Sequence, residues 1–376
     1  VPINGFAIDP VNSNVIYAGS DIGVFISTNG GASWNPFGSG LPRVAVFDMS
    51  FQNANRILKI ATHGRGAWEI QAAKTVATVT LNVPATATYG DNVTFTATVG
   101  ANGALATPGG TVTFSDGGLV LGTSTLDSTT FTATFSTNQL SAGTHSITAT
   151  FSGDRIFDVS PSAASTLTIN LAALTITAND ATKILNAPNP SFTASYSGFV
   201  LGQGPSALNG VLICTTTALA NSFVGSYPIT CSGQTSTNYA ITYVPGTLHI
   251  IFLPGGIVDG EASHVVLSPL GDGSSVFKAG RTVPVKFRVG DVNNISIGTP
   301  GTVTSFLLTS VITGTVSTPV DILPTSTTPD TTFRFDPTAQ QWIFNLNTSG
   351  LAPGSTYVFT IGLADGSSIN FQFGLR

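Results

Sequence analysis

The stretch NVTFTATV, residues 92–99, decides what most of this chain can become. Val93, Phe95, Ala97 and Val99 are apolar, and Thr94, Thr96 and Thr98 lie between them. Successive side chains of an extended strand point to opposite faces, so a two-residue period gives one face to a core and the other to water. Threonine suits the wet face because its branched Cβ favours extended backbone. The same alternation recurs in ATVTLNV, GTVTFSDG, TFTATFST, STLTIN and TVPVKFRVGD, with Gly and Pro gathered at the junctions. Short alternating strands punctuated by turn residues predict an all-β chain.

Composition narrows the class further. At 376 residues there is room for three or four domains. No run of about 18 apolar residues occurs, which argues against a membrane span. Only 8% of residues are charged and the net charge is −5, with no basic patch of the kind that binds nucleic acid. Between Leu171 and Ile250 the only Asp, Glu, Lys or Arg residues are Asp180 and Lys183. A neutral, Thr-rich β surface offers little charge repulsion against neighbours and tolerates close packing. The chain opens on Val1 without an initiator Met or signal peptide, so Val1 is expected to be a processed or truncated end.

The two cysteines, Cys214 and Cys231, lie in GVLICTTT and SYPITCSG, which both read as strands. A disulfide is expected, and with it an oxidising compartment. Two buried thiols in a cytosolic protein are the alternative, and the low Lys and Glu content argues against it.

The N-terminal stretch holds a more specific signal. VIYAGSDIGVFIS reads as two strands around a Gly-containing turn. STNGGASW follows, where Ser27, Asn29, Gly31 and Ser33 supply a tight, side-chain-bonded turn and Trp34 is expected to plug the base of the next strand. This run resembles the Asp-box of sialidase-like and sortilin-like β-propellers, with Asn29 where that family usually has Asp. The resemblance implies a folding device at a blade periphery and says almost nothing of catalysis. INGFAIDP, NVIYAGSD, GVFIST and SWNPF would make one blade over residues 1 to about 40, and VAVFDMSFQ, ILKIATHGRG and AWEIQ another over 44–71. Two blades cannot close a ring. Residues 1–73 are therefore expected to be a partial β-propeller. His63 and Arg65 in THGRGAWEI are read as a corner that locks the last blade rather than as ligand contacts.

Three segments share a second device: SAGTHSITATFSG at 141–153, FVGSYPITCSG at 223–233 and APGSTYVFTIG at 352–362. In Ig-like sandwiches an aromatic near the start of a late strand bonds back across a corner. His145, Tyr227 and Tyr357 fill that place, the last one residue later. Tandem sandwiches follow as the expectation. Residues 74–170, with ATFSGD near their end, resemble bacterial Ig-like repeats. Residues 171–250, with LTITANDATKILNAPNPSFTASYSGFVLGQ and NYAITYVPGTLHI, resemble the MBG-type domain, with Ile184-Leu185 replacing the family's aromatic after the lysine. Residues 251–376 resemble the PxKF domain through Pro284, Lys286 and Phe287, and on that likeness Arg376 is expected to be the natural C-terminus. Val283, Val285, Phe287 and Val289 are expected to face inward. Pro284, Lys286 and Arg288 should face out on an edge strand.

Chemistry is harder to find. His63, His145, His249 and His264 lack metal-ligand spacing to one another or to a cysteine, so no metal or cofactor is expected. Asp91, Asp116, Asp154, Asp272 and Asp291 sit at strand ends and turns, where a turn-forming role is favoured over calcium at Asp154 or Asp272. No phosphate loop, dinucleotide fingerprint or nucleophile elbow occurs. Asn92, Asn294 and Asn347 open glycosylation sequons. Trp34, Trp68 and Trp342 are scattered and read as core or corner residues.

The reading that results is a non-enzymatic, secreted or cell-surface structural protein. Its open β-edges are expected to be satisfied by other copies of itself in a filament or array. The alternatives are the appendage of a secreted glycoside hydrolase whose propeller lies upstream, and a glycan-binding adhesin stalk. Neither nucleic acid nor a membrane span is expected as a partner.

Overall fold

The computed structural model describes residues 1–271 and 273–376. Asp272, one of the two corners weighed for calcium, lies outside the described residues. The described chain is all-β, and one 3-10 turn at Pro205–Ala207 is its helical element. It divides into two compact units. The first comprises Val1–Ala173, Val200–Gln203 and Ser236–Ala240, and the second the remainder.

Two antiparallel meanders open the first unit. Strands β1 (Ile3–Ile8), β2 (Ile16–Ser20), β3 (Gly23–Ser27) and β4 (Asn35–Phe37) pair in sequence order, as do β5 (Val46–Gln52), β6 (Ile57–Thr62) and β7 (Gly66–Gln71). They coincide with the two repeats read at 1–40 and 44–71. Ala7, Tyr17, Val24 and Ile26 from one sheet share a core with Val46, Met49, Leu58 and Ile60 from the other. Gly19 permits the contact, because a Cβ there would stand 2.6 Å from Val46 Cγ1.

The outer faces differ. On the second sheet Ser50, Lys59 and Glu69 lie in register, and Lys59 Nζ is 3.2 Å from Glu69 Oε1. On the first sheet the residues beside buried Ala7 are Phe6 and Ile8, which are 60% and 56% exposed.

A charge pair ties the two sheets together. Asp9 follows β1, Arg56 sits in the β5–β6 hairpin, and each is 1% exposed. Arg56 Nη1 donates to Asp9 Oδ1 at 2.6 Å while Nη2 donates to Oδ2, and the guanidinium lies 4.8 Å from the Phe51 ring centre. Arg56 takes φ of 56°, a region that side chains disfavour, so the turn holds a costly conformation in order to present this group. The Tyr17 hydroxyl nearby accepts from Ala73 N–H, and burial pushes its pKa up to about 12.

Residues 78–170 form a sandwich. One sheet orders Thr86–Thr88, Ser165–Asn170, Gly143–Phe151, Thr111–Asp116 and Leu119–Thr125, with Ser160–Pro161 also on Gly143–Phe151. The other orders Thr132–Thr137, Val93–Gly100 and Thr78–Asn82. Val93, Phe95, Ala97 and Val99 are all buried, as the alternation requires. They meet Phe114, Ile147, Phe151 and Leu167 from the facing sheet, each 0% exposed.

In the second unit Ala181–Ile184, Gly246–Ile251, Gly225–Ser232 and Ile213–Thr216 form a four-stranded sheet. Ala194–Ser197 pairs antiparallel with residues 175–178. The C-terminal part sets a five-stranded sheet against a three-stranded one made of Thr282–Phe287, Gln341–Asn347 and Arg334–Asp336. Position 250/251, read as a boundary, falls inside one continuous hydrophobic cluster that holds Ile250, Phe252 and Val283 alike. Leu253 N–H donates to Gly290 O, Val292 N–H to Leu185 O, and Asn186 Nδ2 to Asp291 Oδ2.

Two expectations need correction. Val283, Val285, Phe287 and Val289 do face inward at 0% exposure, and Thr282–Phe287 is an edge strand. Arg288, however, does not face out. It is 9% exposed, because its Nη atoms donate to the carbonyls of Val258, Asp259 and Ala339 and so neutralise the cost of burying them. Trp34 does not plug a strand base either. It is 38% exposed, its Nε1 is held by Gly31 O, and its ring stands 6.5 Å from that of Phe6.

Removing one member of a buried pair strands the other charge. Arg56→Met should cost roughly 3–5 kcal/mol, and Asp9→Leu combined with Arg56→Met much less. Urea unfolding followed through Trp34 and Trp68 checks this, and an unchanged midpoint for Arg56→Met would contradict it.

Candidate functional site

The turn and corner residues singled out in the sequence take part in local hydrogen-bonded devices. At 27–34, Ser27 Oγ donates to Asn29 Oδ1 at 2.9 Å and accepts from Gly31 N–H at 2.8 Å. Asn29 Oδ1 also accepts from Ser33 N–H, and Asn29 Nδ2 donates to Ser33 Oγ at 2.8 Å. Gly30 and Gly31 take φ of 70° and 95°, where a side chain would be strained. The side chains of Ser27, Asn29 and Ser33 are thus bonded to one another within the turn.

The β6–β7 hairpin closes similarly. Thr62 Oγ1 donates to Gly66 O, and Trp68 Nε1 donates to Arg65 O at 3.0 Å, as Trp34 does to the carbonyl three residues before it. His63 packs edge-on to Phe47 with ring centres 5.1 Å apart.

The three corners share one geometry. His145 Nε2 lies 2.9 Å from Ser141 O, Tyr227 OH donates to Phe223 O at 2.9 Å, and Tyr357 OH donates to Ala352 O at 2.8 Å. His145 makes a second bond, Nδ1 to Asp116 Oδ2 at 2.7 Å. Burial disfavours charge on this ring, but the bonds to Asp116 and Ser141 outweigh it and raise its pKa above the ordinary value. With an acceptor on each nitrogen the doubly protonated ring is the form that fits.

Cys214 and Cys231 are joined in a disulfide. They sit directly opposite one another on Ile213–Thr216 and Gly225–Ser232, so the bond fastens a hairpin whose register the ladder already sets.

The aspartates serve turns. Asp154 Oδ1 accepts from Ile156 and Phe157 N–H, and its Oδ2 accepts from Gly109 N–H. Asp91 Oδ2 accepts from Thr88 N–H, and Asp116 Oδ1 from Ser146 N–H. Burial alone would raise Asp291, yet bonds from Asn186, Ile295 and Asn293 hold its carboxyl below the usual range. Among the described residues no group of three or more His, Cys, Asp or Glu side chains is placed to hold a metal ion.

One cluster contains the residue types of a hydrolytic triad in an order that does not suit catalysis. Ser367 Oγ donates to Asp365 Oδ1 at 2.5 Å and stands 3.5 Å from His264 Nε2. The carboxylate therefore holds the serine proton directly instead of orienting the imidazole, and burial lowers the His264 pKa.

Four structural ionic groups escape a sequence reading: Asp9, Arg56, Arg288 and Lys183. Lys183 Nζ donates to the carbonyls of Ala187, Leu219 and Ala220 at 3.0, 2.8 and 3.0 Å, and burial lowers its pKa. Its signal was isolation, as the one cation between residues 171 and 250.

Comparison with known families agrees with part of this organisation. Residues 79–170 match the bacterial Ig-like domain (group 3), and residues 174–249 match the MBG domain (YGX type). Both are domain types of bacterial surface and extracellular proteins, and both are typically non-catalytic. No curated protein sequence matches the chain. Among solved structures, it is similar to the extracellular domain of a one component system from B. thetaiotaomicron, at 11% identity over 45% of this chain and 25% of that one, with a TM-score of 0.21. It is also similar to a membrane anchored protein from Corynebacterium diphtheriae, at 12% identity over 100% of this chain and 81% of that one, with a TM-score of 0.22. The chain spans about a quarter of the length of the first of these, and at such TM-scores neither carries further argument. Among the described residues no helix is long and apolar enough to cross a membrane.

Two outcomes are expected. Replacing both cysteines by serine should cost about 3 kcal/mol, because the closed loop restricts the unfolded chain. Equal urea midpoints for the two proteins would contradict it. His145 contributes stability that is complete below its unfolded pKa of 6.5 and is lost as pH rises through its raised folded value. The melting-temperature advantage of the wild type over His145→Gln should therefore be larger at about pH 5.5 than at about pH 8.5. A constant or inverted difference would overturn the assignment.

Proposed function

We propose that this chain is a non-catalytic structural protein of the bacterial surface or extracellular space, and that its copies associate through β-edges into a filament or array. In this reading residues 1–73 are about two blades of an Asp-box β-propeller, and 74–170 an Ig-like sandwich. Residues 171–250 are an MBG-type sandwich with its disulfide, and 251–376 a PxKF-type sandwich.

The observation that carries the reading is the first sheet. β1 is an edge strand, and Ile3, Phe6 and Ile8 along it are 45%, 60% and 56% exposed. An edge strand carries unpaired N–H and C=O groups, and soluble proteins usually blunt such edges with charge or proline. β1 carries the sequence INGFAI and has no charged residue. The second sheet, β5–β7, carries the exposed row Ser50, Lys59 and Glu69 with its own ion pair, beside an exposed Phe47. Apolar surface and an open edge thus coincide at one end of the two-sheet stack, and the low charge of the chain removes a barrier to contact between copies.

Sedimentation velocity over a roughly hundredfold concentration range tests this. The wild type should move to larger species as concentration rises. Phe6→Lys with Ile8→Lys should stay monomeric with the same melting temperature. A wild type that is monomeric throughout would overturn the reading.

A further inference from the structure

The C-terminal sandwich has an unequal number of strands in its two layers. The larger sheet orders Val276–Phe277, Ser368–Leu375, Thr356–Leu363, Val303–Thr313 and Val316–Ile322, against three strands in the facing sheet. Two strand edges are left open toward the gap. Val316–Ile322 pairs with Val303–Thr313 only from Leu308 onward, so residues 303–307 have a strand partner on one side alone. Arg334–Asp336 pairs with Gln341–Asn347 and is the last strand of its sheet.

A cleft of about 810 Å³ lies between these edges, lined by Val303, Ser305 and Phe306 on one side and Thr332, Arg334 and Phe335 on the other. Its floor is aromatic. Phe306, Phe333 and Phe344 lie with ring centres 5.1–5.3 Å apart, and Trp342 stands 5.5 Å from Phe335. Phe335 rests on bare backbone, since a Cβ on Gly298 would be 2.3 Å from its ring. Arg334 is the one ionisable residue of the lining, and its Nη1 is bonded to Asp330 at 2.6 Å.

We propose that this cleft binds an extended, uncharged peptide segment of a partner protein, which adds to the free edge of Arg334–Asp336 as a fourth strand. Three features select that occupant. The open edge presents backbone donors and acceptors that only another extended backbone satisfies in series. A fourth strand continues the existing sheet over residues 303–307 and narrows the difference between the two layers to five strands against four. The aromatic floor and neutral lining suit a strand whose alternate side chains are apolar and whose others are uncharged. Strands of the described chain are already paired within sheets, so a second copy offers only an outer edge such as that of β1, and protection of residues 334–336 on raising protein concentration without peptide would overturn the choice of a partner's segment. The proposal is independent of association through β1.

The test uses the full chain and the synthetic peptide acetyl-Thr-Val-Thr-Phe-Thr-Val-Thr-amide. Saturable quenching or enhancement of tryptophan fluorescence is expected. Amide exchange at residues 334–336 should slow at least about tenfold in the bound state. The same peptide N-methylated at alternate amides keeps every side chain but loses the ladder bonds, and should bind at least about tenfold more weakly. Val303→Trp, on the inward face opposite Leu363, fills the cleft and should abolish binding while leaving the melting temperature unchanged. Thr332→Arg serves the same purpose from the other wall should the first variant fail to fold. Equal affinity for the N-methylated peptide, protection elsewhere than at 334–336, or no saturation at millimolar peptide would each overturn the proposal. Light scattering on the same samples reads association between copies separately, so failure of one reading leaves the other standing.

Discussion

Every strand in this chain buries one face and must still satisfy two backbone edges, and that requirement organises the molecule. The alternation of apolar residues with Thr or Ser settles the faces at once. It leaves the edges to be settled by neighbours. In the sandwich at 78–170 the inner strands find partners on both sides, while Thr86–Thr88, Leu119–Thr125, Thr132–Thr137 and Thr78–Asn82 end its sheets. At β1 and at Arg334–Asp336 the sheets simply stop, with apolar surface beside the open edge. Unpaired backbone next to exposed hydrophobic side chains is what association by strand addition needs.

With only 8% of its residues charged, the chain places several of its ions at joints rather than on the surface. Asp9 and Arg56 clamp the first two sheets, and Lys183 gathers three carbonyls from turns of the sheet it belongs to. Arg288 draws in the carbonyls of Val258, Asp259 and Ala339, and Asp291 receives Asn186. Each is a strongly hydrated group taken out of water, which is tolerable only where every neighbour is fixed. The result is a molecule with ions at several internal joints and a sparsely charged, hydroxyl-rich exterior.

What the sequence discloses and what it hides divide along the range of the interactions involved. Strand faces follow from residue parity, so Val93, Phe95, Ala97 and Val99, or Val283, Val285 and Phe287, are legible from spacing alone. The corners at His145, Tyr227 and Tyr357 are legible because each bond closes over four or five residues. The Asp9–Arg56 pair spans 47 positions and leaves no local trace. Arg288 misleads for a related reason. Its parity is correctly outward, but a carbonyl cluster brought from Val258, Asp259 and Ala339 closes over it. The aromatic cleft was hidden because its walls come from strands that are adjacent only once both sheets are assembled.

The central claim is that the open edge of β1 becomes paired when copies meet. Amide hydrogen exchange at residues 3–8, measured as a function of protein concentration, addresses it directly. The account predicts that these amides exchange rapidly in dilute protein and become strongly protected as concentration rises, while the core amides of Val93–Gly100 stay unchanged. Exchange at 3–8 that is independent of concentration would contradict it.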